Sequence, residues 1–142
     1  MAFAGINYLA IAVAAVAAWR AGAGWYTVLS APWMRAVGIT PEQMAARKGR
    51  PGAFLPFIYA LIAAAVMAWV LAGLIGHLGP GQVTLRNGVI SGAFIWFGFV
   101  LPVMLVNNSF AGRDWRLLLI DGGHWLLVLV LIGGIIGAMG VK

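Results

Sequence analysis

Four long apolar stretches fill most of this chain: Phe3 to Leu29, Ala53 to His77, Val89 to Phe110 and Leu117 to Met139. A helix rises about 1.5 Å per residue, so crossing the hydrocarbon core of a membrane takes about 20 predominantly apolar residues. Each stretch reaches that length. Inside lipid every backbone N–H and C=O must be bonded within the protein, which makes helices the expected form. The chain has 142 residues, of which 63% are hydrophobic and 8% charged, so little is left for a soluble domain. The expected fold is therefore all-α integral membrane: a single domain over residues 1–142 whose four transmembrane helices form a bundle. The first stretch is too long for a removable signal peptide and lacks the basic start and polar cleavage region, so it is expected to remain as the first span.

The formal charge of +6 does not point to nucleic acid, because the basic residues sit dispersed at the ends of apolar stretches instead of forming one continuous footprint. They read as orientation signals. Arg35, Arg47, Lys48 and Arg50 lie between the first two stretches, and Arg113 and Arg116 between the last two; the opposite side carries Arg86 and Lys142. By the positive-inside rule both loops are expected in the cytoplasm and both termini outside. Cysteine is absent, which excludes disulfides, thiol chemistry and cysteine-held metals.

The first loop has its own structural signals. Thr40, Pro41 and Gln43 match a capping box with proline at the first helical position, so a short interfacial helix through Arg47 is expected. Gly49, Pro51 and Gly52 end it. Trp33, Met34 and Arg35, just upstream, suit the inner membrane surface. Trp25, Tyr26, Trp33 and Trp115 are read as interfacial aromatics, whose apolar rings and polar edges fit the headgroup boundary. Pro102 removes the hydrogen bond to the Gly98 carbonyl and is expected to kink the third span. Gly133 and Gly137 have the small-xxx-small spacing of a close helix crossing.

Asp121 and His124 stand out because ionisable groups within a span are costly and need a partner or a purpose. At spacing i, i+3 they share a helix face. Arg20 and the pair Asn107 and Asn108 approach the same inner level, so Arg20, Asn107, Asn108, Asp121 and His124 form the candidate polar cluster. Three uses compete: a proton or ion pathway through Asp121 and His124, a ligand site with Arg20 holding an anionic headgroup, and a structural lock pairing Arg20 with Asp121. The lock is the leading expectation. Ser109, His124 and Asp121 hold the letters of a hydrolase triad without an elbow or oxyanion donors, so no catalytic residue is assigned and the protein is not expected to be an enzyme. His77 and His124 are expected about 15 to 20 Å apart along the membrane normal by helical rise, too far to share a haem. Asp121 and His124 alone offer too few ligands for a metal site, and no cofactor or metal is expected.

Several stretches together resemble a known family: Asn7, Tyr8 and Leu9 at the start, Trp25 and Tyr26 near the end of the first span, Trp33 followed by Gly38, and Gly98 and Phe99 before Pro102. Most distinctive is the set Asn107, Phe110, Gly112, Arg113, Trp115, Leu118, Ile120 and Gly123. They resemble the small four-span bacterial membrane proteins of domain of unknown function 1761, across nearly the whole chain. The resemblance implies a four-helix protein of the bacterial inner membrane and supplies no activity. Arg20, Asp121 and His124 depart from the family pattern, where apolar, amide and aromatic residues are expected, which counts against a chemistry common to the family. The expected role is a structural or accessory subunit in the lipid bilayer, packing as a homo-oligomer or against a larger membrane complex; the alternative is a small oligomeric transporter or channel using the inner polar cluster.

Overall fold

The computed structural model describes residues 2–141. Its helices are α1 (Tyr8–Val28), α2 (Ser30–Val37), α3 (Pro41–Lys48), α4 (Leu55–Gly76), α5 (Leu85–Ile95), α6 (Leu101–Phe110) and α7 (Trp115–Met139), with a π-helical turn at Trp96–Val100 joining α5 to α6. Four helical segments are long and apolar enough to cross a membrane: α1, α4, the continuous unit Leu85–Phe110, and α7. The protein is an all-helical, multi-pass membrane protein. The span positions match the apolar stretches, although the first helix begins at Tyr8, after an extended lead-in ending at the Asn7 cap, and the third begins earlier than expected, at Leu85.

Helix α7 is the centre of the bundle, packing on α5, α1 and α4. Small residues at a four-residue interval make that possible. Ala10, Ala14, Ala18 and Gly22 form the buried line of α1, and Ala64, Ala68, Ala72 and Gly76 that of α4. In lipid there is no water to expel from between helices, so close backbone approach and van der Waals contact hold them together. Leu71, Ile75 and Ile132 fill the centre as the largest fully buried side chains.

The closest approach joins α5 to α7. A Cβ placed on Gly88 would overlap the Gly133 carbonyl oxygen, and one on Gly133 would overlap the Gly88 carbonyl; Gly92 meets the Leu129 carbonyl and Gly137 that of Thr84 in the same way. The expected small-xxx-small crossing at Gly133 and Gly137 is present, with Gly88 and Gly92 as its other half. Apart from these two glycines the third span buries none of its residues.

The backbone disturbance expected at Pro102 includes a π turn. The backbone widens into the π turn just upstream, where the Leu101 N–H donates to the Trp96 carbonyl five residues back. The widened turn re-registers the backbone bonds around the proline, the usual reason a π bulge is tolerated inside a helix.

At the far end of the bundle Asn7 ties the chain's two ends together. Its Oδ1 accepts the Ala10 N–H at 3.1 Å, capping α1, and its Nδ2 donates to the Gly140 carbonyl at 3.0 Å. The first loop holds two short helices where one was expected. The Thr40 and Gln43 capping box starts α3 as read from the sequence, while Ser30–Val37 forms the additional α2, packed on α7 through the buried Ala36. Gly38, at φ 81°, ends α2 in a left-handed conformation that glycine adopts without strain. The exposed Glu42 carboxyl is held below its usual range, first by its own backbone N–H and then by Thr40.

Candidate functional site

The polar site is built on the first turns of α7. Asp114 caps the helix, its carboxylate accepting the Arg116 N–H at 2.9 Å, and sets the phase of the turns beyond it. Two turns on, Asp121 faces α1, and the Tyr26 hydroxyl donates to its Oδ1 at 2.7 Å. His124, one turn further, lies with its ring centroid 4.8 Å from Tyr26 and 4.6 Å from Trp125. Gly22 makes room for this imidazole: a Cβ there would stand 2.7 Å from the His124 Nε2. His124 Nδ1 is buried with no hydrogen-bond partner among the described residues.

Two indoles flank this pair and bond to the backbone of α7. Trp25 Nε1 donates to the Ile120 carbonyl at 3.0 Å and Trp96 Nε1 to the Gly122 carbonyl at 2.8 Å. Gly123 allows this, since a Cβ there would be 2.8 Å from the Trp25 ring. Side chains from α1 and from the π turn of the third span thus grip one short segment of α7, residues 120–122.

Toward the loop end, a cleft of about 440 Å³ runs between the first loop and the turn into α7, bounded by Trp33, Arg47, Arg113, Asp114, Leu117 and Asp121. Asp121 therefore has two environments: Tyr26 on the bundle side and the cleft on the other.

The expected cluster is revised accordingly. Asp121 and His124 do come together, and Tyr26 joins them. Arg20 does not: it is exposed on the outer face of α1, and the lock between Arg20 and Asp121 is not formed. The reason is helical phase, because Arg20 lies two residues from both Ala18 and Gly22 on the packed line, about 200° around the helix. Asn107 is exposed, and Asn108 is half-buried with its Nδ2 unpartnered among the described residues; neither bonds to Asp121 or His124. Trp25 and Tyr26, read as interfacial aromatics, act as hydrogen-bond donors within the bundle. Trp33 lines the cleft, with its ring centroid 6.2 Å from that of Tyr26 in an edge-on arrangement. Trp115 is exposed with the Arg116 guanidinium 5.9 Å from its ring, as suits a membrane boundary.

Residues that sequence reasoning passed over are Tyr26 as the partner of Asp121, Gly22 as the seat of His124, and Arg47 and Arg113 as cleft residues. Gly22 continues the line Ala10, Ala14, Ala18 only once the phase of α1 is known; the two arginines carried no signal beyond membrane orientation.

Residues 9–137 match the model of a family described as protein of unknown function (DUF1761). No curated protein and no solved structure matches the chain.

Proposed function

Because this chain belongs to the DUF1761 family, whose description states no activity, we propose its role from its own residues: a small, non-catalytic structural or accessory subunit of the bacterial inner membrane, both termini outside. The observation that carries this reading is the third span, which buries just Gly88 and Gly92 within its own chain. Its phenylalanine side chains point outward, with Phe94 75%, Phe97 70% and Phe99 69% exposed, while Trp96 alone of its aromatics turns inward to α7. A rigid helix pinned by its backbone on one side, with bulky rings on the other, is suited to packing against a second copy or a larger membrane complex. Arg20 adds support, since a guanidinium on the outer face of a span is costly unless it snorkels or meets a polar group on a neighbouring helix.

A photo-crosslinking residue at Phe97, activated in native membranes, tests this. It is expected to give a discrete protein adduct, while the same residue at the exposed Val66 of α4 gives lipid adducts alone. Lipid adducts at both positions would overturn the subunit reading. A second reading, a small oligomeric transporter or channel, draws support from the cleft that reaches Asp121. It requires ion or proton flux in reconstituted vesicles that falls on Asp121→Asn; wild-type protein without flux eliminates it.

A further inference from the structure

The cleft beside α2 gathers charges of both signs: Arg47 and Arg113 against Asp114 and Asp121. Neither arginine forms an ion pair among the described residues, whereas the Asp114 carboxylate at the rim is paired with Arg116 at 3.8 Å. Asp121 lines it from deeper along α7, seven residues or about 10 Å beyond Asp114. Its Oδ1 is taken by the Tyr26 hydroxyl, and its Oδ2 accepts no hydrogen bond among the described residues. Trp33 adds an indole face to the same space.

This lining discriminates among ligand charges. A purely anionic group drawn in by the two guanidiniums meets the Asp121 carboxylate, and a purely cationic one drawn to Asp121 and Trp33 meets the guanidiniums. A zwitterion satisfies both ends. An ammonium is held by a carboxylate beside an aromatic face, and two arginines supply more donors than one carboxylate needs but suit a phosphate, with its several acceptor oxygens. The volume lies in the range of small-ligand sites. We infer that this cleft binds a phosphoethanolamine group, its ammonium at Asp121 and Trp33 and its phosphate between Arg47 and Arg113. The group reaches the cleft either as the headgroup of phosphatidylethanolamine or as the free soluble compound.

Native mass spectrometry of the purified protein in detergent, with phosphatidylethanolamine and phosphatidylglycerol of matched chains, tests the assignment. Wild type is expected to retain the zwitterionic lipid at least about tenfold over the anionic one, the scale of one charge-assisted contact. Asp121→Asn is expected to abolish or invert that preference, because the carboxylate left in the cleft, Asp114, is already paired with Arg116. Trp33→Ala, on the surface helix and away from the bundle core, is expected to lower the same ratio without altering α7. Arg47→Gln combined with Arg113→Gln should weaken both lipids. Displacement of the lipid by millimolar soluble phosphoethanolamine identifies the free compound as the source, and displacement by lipid alone identifies the headgroup; both outcomes support the site. Equal retention of the two lipids by wild type, or an unchanged ratio in Asp121→Asn and Trp33→Ala, overturns it.

Discussion

The pairing of Asp121 with Tyr26 replaces the ion pair that a count of charges favours. A hydroxyl donating to a carboxylate at 2.7 Å is a short, charge-assisted bond, worth about 1.5–3 kcal/mol when one partner is ionised. Tyr26→Phe should therefore lower unfolding stability in micelles by about 1–3 kcal/mol, and Tyr26→Phe with Asp121→Ala should cost less than the sum of the single changes. Arg20→Ala with Asp121→Ala should instead be additive, because Arg20 lies on the opposite face of α1. Coupling between Arg20 and Asp121 in the same unfolding cycle would restore the lock. Asp121 and His124 were legible in the sequence because charge within an apolar run is conspicuous. Their true neighbour was not, because Tyr26 and Gly22 look like boundary residues until the phase of α1 is known.

Among the helices, the seam between α5 and α7 carries the sharpest consequence. The glycine carbonyls of Gly88 and Gly133 occupy the space that a methyl group on the opposite helix would need. Gly133→Ala and Gly88→Ala should each cost about 1–3 kcal/mol through forced separation of the helices. Gly24 and Gly73, with no atom within 4 Å of an added Cβ, are the matched controls, and alanine there should change stability by under about 0.5 kcal/mol. Equal effects at all four positions in the same denaturation series would remove the seam. Half of it was readable from the spacing of Gly133 and Gly137. The other half depended on which helix lies opposite, a matter of tertiary pairing. Likewise Pro102 announced a disturbed backbone, while the π turn at Trp96–Val100, from which Trp96 reaches the Gly122 carbonyl, was not legible. The Thr40 capping box was fully local and was legible to the residue; α2, with no side-chain cap, depends on packing against α7 and was not.

For the molecule as a whole, the number of spans and the gathering of the first and third loops at one end derive directly from apolar length and the alternation of basic loops. What the sequence did not disclose is the asymmetry of the bundle, with α7 the most buried span and the third span at the periphery, since the apolarity of the stretches does not follow their burial. Everything proposed for the cleft depends on Arg47 and Arg113 sharing one side of the membrane, which four crossings with basic loops inside require. The chain has no cysteine, so single cysteines report without background. Ala46→Cys in the first loop, Gln82→Cys in the second and Ala111→Cys in the third all replace exposed residues. A membrane-impermeant maleimide applied to intact cells with a permeable outer barrier should label position 82 alone, and positions 46 and 111 should become reactive after the inner membrane is opened. Labelling that separates 46 from 111, or reaches both from outside, would contradict the account.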